Sequence, residues 1–409
     1  MNVWIFCQYA SVPSIGQYTG HYDLAKGLVA KGHDVTIFAS SFSHYSFRET
    51  LLEPGENRRE VVYDGVRFVW LRTPAYAAND WRRMRSMAVY ALRAGWTALL
   101  RRSRPNVCIG VCVHPLAGLT AWLVATLKRA RFVYEIRDLW PLVLIETGHM
   151  RSDSPVAKAL YILERFLVDR ADRIIGTWRH FDRYVGEIGG DPKKVEWIPQ
   201  VADLDRRPAS VPPTPEDGPF TVMYTGGHVN YMGIDVMLRA AKILADRGIN
   251  DVRFVFVGGG QEKPNLMRMA DELALNNVQF LDPVPKDRLY ATMASAHAFI
   301  VSLRAYPHHR YGVCLNKLCD YLAMERPIIY ATRSSYNPVA EARAGIAIEP
   351  ESPESMADAI LALKSTPREE RIAMGHRAYQ HLSEYHERSR MTERLERLLL
   401  STCAASQAS

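Results

Sequence analysis

Two α/β domains, each wound around a mainly parallel Rossmann-like sheet, are what this sequence predicts, and three observations carry that reading. Its 409 residues exceed the usual size of one hydrophobic core, so two domains of roughly 200 residues each follow. Short apolar, β-rich runs alternate with helix-length segments from the first residue, the pattern of right-handed βαβ units. A proline-rich stretch near the middle interrupts the alternation once, after which it restarts.

The clearest early strands are 3–7, 35–39, 66–71, 107–113 and 132–136. Between the first two, residues 22–31 (YDLAKGLVAK) have helical periodicity and stop at Gly32, a helix-terminating residue. Residues 203–219 (DLDRRPASVPPTPEDGP) hold five prolines and no apolar periodicity, which marks a linker. Strands then resume at 220–224, 253–257, 278–281, 299–303 and 328–330. From 369 to 400 the chain turns helical and charged, with Met391, Leu395, Leu398 and Leu399 as one apolar stripe that should pack on a domain surface. The expected organisation is a first domain over 1–205, a linker over 206–219, a second domain over 220–380, and a C-terminal helix and tail over 381–409. No fixed-period repeat is visible.

Hydrophobic residues make up 48% and aromatics 10%, ample for packed cores, so disorder is expected only in the small, polar tail 401–409. The six cysteines form no CxxC pair and no framework, which favours a reducing, cytoplasmic compartment. Cys108, Cys112 and His114 lie close in sequence, yet the run VCIGVCVH reads as a buried strand holding small hydrophobes rather than a zinc site. Residues 1–6 lack the basic start of a signal peptide, and the apolar stretch 115–127 is too short to span a bilayer. The net charge of +7 is uneven. Through Arg207 there are 29 basic and 21 acidic residues, and afterwards 22 and 23, so the first half carries +8 and the second −1. An electropositive half suits an anionic surface, a phosphate-bearing acceptor or nucleic acid.

In such domains ligands sit where loops leave the carboxyl ends of strands. The strand RFVFV runs into Gly258, Gly259 and Gly260, then Gln261, Glu262 and Lys263; FTVMY runs into Thr225, Gly226 and Gly227. Glycines let backbone amides approach a phosphate, and they also serve plain turn geometry. After AFIVSL comes Arg304, then a segment in which Asn316 could cap a helix whose first turn holds Lys317 and Asp320. Lysine would neutralise a diphosphate and the carboxylate would accept from ribose hydroxyls; the alternative is a solvated amphipathic helix with Leu315, Leu318, Cys319 and Leu322 inward.

Over about residues 1–380 the chain resembles the family 4 glycosyltransferases of the GT-B fold, in particular a bacterial branch that builds surface polysaccharides with aminosugar transferases. HYDLAKGLVAKGHDVTIFAS, YEIRDLWP, VEWIPQVADL, VFVGGGQEK and NKLCDYLAMERPII match in the right order. The paired RDLWP and NKxxDY motifs are the specific ones. The resemblance implies two Rossmann-like domains facing a central cleft, a C-terminal helix able to cross back, and retaining transfer from a nucleotide-sugar, most simply UDP-linked, to a sugar or lipid-linked glycan acceptor.

Residue by residue, the resemblance implies that Lys263 faces the donor and that Asp320 stands at the second acid of the family's two-glutamate motif. The first acid falls at Gly312, so Asn316 and Lys317 become its substitutes. Where relatives carry an Arg and a Lys for the diphosphate, this chain has Gly227, His228 and Met232, which shifts that role onto Lys263, Arg304 and Lys317. Gly16, with Ser14 and Ile15, would lie under the diphosphate. His114 would contact the transferred sugar, unless it is structural. Arg137 and Asp138 would either touch the acceptor or lock onto each other. His114, Lys263 and Lys317 are thus the catalytic candidates, and Gly16, Gly226, Gly227, Gly259, Arg304, Asn316 and Asp320 complete the donor set. No DxD-type loop stands in a suitable place, so basic residues and helix amides should replace a cation, and neither metal nor other cofactor is expected.

Residues 80–104 form a basic, aromatic-bearing helix with seven arginines against one acid. It either rests on an anionic membrane from the cytoplasmic side or turns its apolar stripe to its own sheet. Rival functions are a nucleotide-sugar 2-epimerase on the same fold, disfavoured by the scarcity of acids, and a non-catalytic nucleotide- or nucleic-acid-binding module. No nucleic-acid motif supports the latter, so no nucleic-acid partner is expected. An NAD-linked dehydrogenase fails because CQYASVPSIG stands where GxGxxG should.

Overall fold

The structure, a computed structural model, describes residues 1–16, 18–44, 46–77, 80–202, 204, 207, 211 and 218–404, with Lys286 and Asp287 described in backbone only. The chain divides into two compact units: Met1–Val201 together with Arg388–Ser409, and Ala202–Glu387. Most of the expected linker 206–219 lies outside the described residues, as does 405–409 of the expected tail.

Among the described residues the first unit holds an eight-stranded sheet. Its order is Val195–Trp197, Arg173–Gly176, Arg131–Ile136, Val107–Cys112, Asn2–Phe6, Asp34–Ser40, Val66–Leu71 and Arg58–Tyr63. All neighbours run parallel except the last pair. The central strands are buried on both faces, which is why they appear in sequence as unbroken apolar runs. Cys108 and Cys112 are buried in this way, 0% and 2% exposed. The antiparallel edge strand RREVVY alternates exposure instead, and its charged start hid it from the apolar reading.

Helix Arg388–Ala404 belongs to the first unit, where Met391, Leu395, Leu398 and Leu399 are all buried, against helix Gly20–Ala30 and the sheet core. The helical stretch expected over 369–400 is in fact two helices, Arg368–Tyr385 and Arg388–Ala404. At the break His386 leaves helical geometry and its carbonyl accepts the Ala202 amide at 2.7 Å. The second helix runs on to Ala404, so the start of the expected tail is ordered, with the Thr402 hydroxyl donating to Leu398 O at 2.6 Å.

The second unit holds a six-stranded parallel sheet in the order Val278–Leu281, Val252–Val257, Phe220–Thr225, Ala298–Ser302, Ile328–Ala331 and Gly345–Ile348. Chain order reverses on either side of Phe220–Thr225, so the crevice at its carboxyl end is the topological switch point where α/β sheets take their ligands. The first unit has the equivalent reversal between Asn2–Phe6 and Val107–Cys112.

Candidate functional site

At the second unit's switch point, the loop after Phe220–Thr225 and the loop after Val252–Val257 are stitched together through their backbones. His228 N donates to Gly259 O at 2.7 Å and Glu262 N donates to His228 O at 3.1 Å. A Cβ on Gly258 would lie 2.0 Å from Gly226 O, so this close approach accounts for that glycine by geometry alone. Gly226, at φ +131°, is different: a Cβ there would meet Lys317 Cε and Nζ at 2.8 Å. It keeps space for an ammonium group. Gly227 is exposed, and a Cβ there would make only ordinary contact with Val229 Cγ1 at 3.9 Å, while one on Gly259 would press on Pro283 at 3.1 Å.

Lys317 lies in the first turn of helix Asn316–Ala323. Its ammonium donates to the Tyr224 hydroxyl, lies 4.1 Å from the centre of that ring and 3.2 Å from the Met232 sulfur. No carboxylate pairs with it among the described residues. Burial without a counter-ion pulls its pKa down to about 7. Beside it His228 is 0% exposed, with neither ring nitrogen partnered among the described residues. Burial, aided by the charges of Lys263 and Lys317, pushes His228 down to about 4, so the ring is neutral at physiological pH.

The other expected donor residues are differently engaged. Lys263 opens helix Lys263–Glu272 and donates to Asp282 Oδ1 at 2.8 Å and to Leu281 O at 3.0 Å. Arg304 is held by Asp235 at 2.9 Å and Glu351 at 3.3 Å. Asp320 is buried and accepts from the Tyr290 hydroxyl at 3.4 Å. Asn316 does not cap its helix. It is the first helical residue, exposed, and the cap position falls on Leu315, which has no side-chain oxygen to offer the helix amides. Those first-turn amides therefore have no side-chain cap, in keeping with an anion-accepting helix start.

In the first unit, Gly16 closes a turn by donating its amide to Val12 O at 3.0 Å, and a Cβ there would meet Ser11 Oγ at 2.6 Å. His114 is 1% exposed at the head of helix Pro115–Lys128, with Tyr9 and Tyr90 edge-on at 6.4 and 5.9 Å. Neither of its nitrogens has a partner among the described residues, and burial, with Arg83 adding to it, pushes it down to about 3.

Arg137 and Asp138 do not lock onto each other. Arg137 turns back to Glu135 at 2.9 Å and to Gln200 at 2.5 Å, with the Tyr18 ring 5.1 Å away, while Asp138 is exposed. Both residues lie past the strand's end at Ile136, in a bend where the Arg137 and Asp138 amides both donate to Cys112 O at 3.3 Å. Glu135 also takes His21 Nε2 at 3.0 Å, and His21 Nδ1 lies 3.6 Å from the Cys7 sulfur. Burial opposes a charge on His21, but Cys7 and Glu135 outweigh it and push its pKa up to about 10. Burial likewise opposes ionised Glu135, and His21 with Arg137 overcome it, holding the carboxyl near 2.

Sequence reasoning missed His21 and Glu135 because they lie 114 residues apart, and it missed Tyr224, whose position as the penultimate strand residue before a glycine loop was the available signal.

Known proteins resemble this chain along most of its length. Residues 15–200 match the model of a glycosyl transferase 4-like domain, and residues 219–365 that of glycosyl transferases group 1. Sucrose-phosphate synthase from Thermosynechococcus elongatus superposes with a TM-score of 0.75 at 15% identity, covering 99% of both chains. Alr3699/HepE of Anabaena, solved with UDP-glucose, superposes with a TM-score of 0.69 at 14% identity, covering 98% of this chain and 100% of that one. Fold and paired matches together define a glycosyltransferase of the GT-B class. Within that class, the chain belongs to glycosyltransferase family 4. The D-inositol 3-phosphate glycosyltransferase of Corynebacterium glutamicum (strain R) is 27% identical over 323 residues, 71% of this chain and 72% of that protein. The putative colanic acid biosynthesis glycosyl transferase WcaI of Escherichia coli (strain K12) is 24% identical over 385 residues, 88% and 90%.

Proposed function

We propose that this glycosyltransferase moves a hexose or N-acetylaminosugar, with retention, from a UDP-linked donor to an acceptor hydroxyl in building a bacterial polysaccharide or glycolipid. The observation that supports it best is the Lys317 ammonium, held without a carboxylate partner at an uncapped helix start, beside a glycine that keeps space for it. Leaving such a cation half-buried costs free energy unless an anion arrives. A diphosphate is the anion that glycosyl transfer supplies. As the glycosyl–oxygen bond breaks, its electrons depart on the phosphate oxygen, and Lys317 with the first-turn amides takes up that charge. Asp320 is assigned to the ribose and Lys263 to the nucleotide side. His114, neutral, offers a hydrogen bond rather than a proton to the sugar. Arg137 and Asp138 are assigned to the acceptor, a sugar or lipid-linked glycan.

The UDP-glucose in the HepE structure and the colanic acid biosynthesis in the WcaI name support the choice of donor and setting. Because the cationic groups come from the chain, transfer should persist in EDTA. Thermal shift with UDP, GDP, ADP and TDP derivatives tests the reading, followed by transfer assays with the nucleotide-sugar that stabilises most. Stabilisation by UDP-sugars and its loss in Lys317→Ala are expected; stabilisation only by NAD or RNA would overturn it.

A further inference from the structure

We infer that the outer face of three helices in the first unit is a docking surface for an anionic lipid bilayer. Helix Trp81–Leu100 buries Met87, Tyr90, Ala94 and Ala98 toward its own core, each at most 2% exposed. Its opposite stripe is left to solvent: Trp81 is 65% exposed, Leu92 73% and Trp96 68%. Helical spacing puts these three on one line.

Helix Pro115–Lys128 packs alongside, the Thr120 hydroxyl donating to Ala91 O at 3.3 Å, and it adds exposed Leu123 and Leu127. Helix Pro155–Arg170 packs on its far side, with Trp122 and Phe166 edge to face at 4.7 Å, and adds Val156 and Ile162. Of the fifteen large hydrophobics exposed among the described residues, nine lie on these three helices. Such concentration marks an interaction surface, since scattered single residues are the norm elsewhere.

Charge decides the occupant. Residues 81–130 contain nine lysines and arginines and no acid. Arg82, Arg85, Arg102, Arg104 and Arg129 are exposed and have no carboxylate partner among the described residues. A second copy meeting this face symmetrically would set those cations against their own copies. An anionic lipid surface satisfies both halves of the patch: tryptophans and leucines enter the headgroup boundary while arginines meet phosphates. Among the described residues no helix is long and apolar enough to cross a membrane, so the contact is one of surface, not of spanning. The surface bears on the lipid-linked acceptor proposed above, but it can be tested without donor or acceptor, so either reading can fail alone.

The test is sedimentation of the full chain with phosphatidylglycerol-rich vesicles and with pure phosphatidylcholine vesicles. Binding to the first is expected to exceed the second by roughly tenfold or more, and to weaken as salt rises from about 0.1 M to about 0.5 M. Leu92→Glu and Trp96→Glu, both at exposed positions, should each lower vesicle binding roughly tenfold with unchanged melting temperature, while Trp96→Phe retains most of it. Equal binding to both vesicle types, or no change in the glutamate variants, would overturn the inference. So would a dimer in light scattering that Trp96→Glu dissociates, which would show a second copy covering the face.

Discussion

The two units treat buried charge in opposite ways. In the first, His21, Glu135 and Arg137 form a cluster in which each charge is met by another, with Gln200 completing the guanidinium. In the second, Lys317 is held among a phenol ring, a thioether and a glycine, with no carboxylate partner among the described residues. A compensated cluster carries little electrostatic cost whether or not a ligand is bound. An uncompensated cation stores a cost that an anionic ligand would relieve, which is why the proposed donor site is centred on Lys317.

The sharpest way to break the comparison is Lys317→Ala. Loss of a charge-stabilising group should lower turnover by about 10²- to 10³-fold. The melting temperature should hold or rise, because a half-buried charge without a carboxylate partner is removed; a folded variant with full turnover would take Lys317 out of the site. Glu135→Ala should do the reverse. It leaves two cations facing each other in a buried place and should cost about 3–5 kcal/mol, read by denaturant unfolding.

The units should also respond oppositely to alkali. His21 has a folded pKa raised to about 10, so its stabilising contribution is complete below its unfolded value near 6.5 and is lost as pH rises toward 10. Lys317 has a folded pKa lowered to about 7, so the cost of its charge is present below 7 and is relieved between 7 and about 10.5. Donor affinity should fall roughly tenfold per pH unit above 7, since the diphosphate must bring a proton back to the amine. Calorimetry in buffers of different ionisation enthalpy reads that proton directly; no proton uptake above pH 7 would contradict the role. The smallest effect is expected at His228. With both nitrogens unpartnered among the described residues, His228→Phe should change stability by under about 1 kcal/mol while weakening donor binding severalfold. Equal donor affinity would leave His228 a space-filler.

Much of the fold was legible because fully buried parallel strands cannot hide: runs such as VCIGVC and FTVMYT announce both the element and its depth. Loops at strand ends single out Gly226 and Lys317 in the sequence, and the fold brings these two together, a Cβ on Gly226 falling 2.8 Å from the Lys317 ammonium. What stayed illegible depended on partners distant in sequence. Nothing near Arg137 shows that it turns to Gln200 rather than to Asp138. Arg304 reads as a free cation until the fold brings Asp235 and Glu351 to it. The helix break at His386 was equally hidden, since the amide that its carbonyl accepts there is that of distant Ala202. Asn316 misled for another reason: a good capping residue one position late becomes merely the first residue of the helix.

The return of helix Arg388–Ala404 to the first unit makes the second unit an insertion, entered at Ala202 and left at Glu387, which pair as a β-bridge. A ribosome therefore releases everything the second unit needs before it finishes the first. The earliest residues of the chain must wait for the latest, with helix Gly20–Ala30 lacking its lid until Met391 and Leu395 are made. A nascent chain stalled soon after Glu387 would present a finished second unit tethered to a first unit still unsealed, because the helix that closes it, Arg388–Ala404, had not yet arrived.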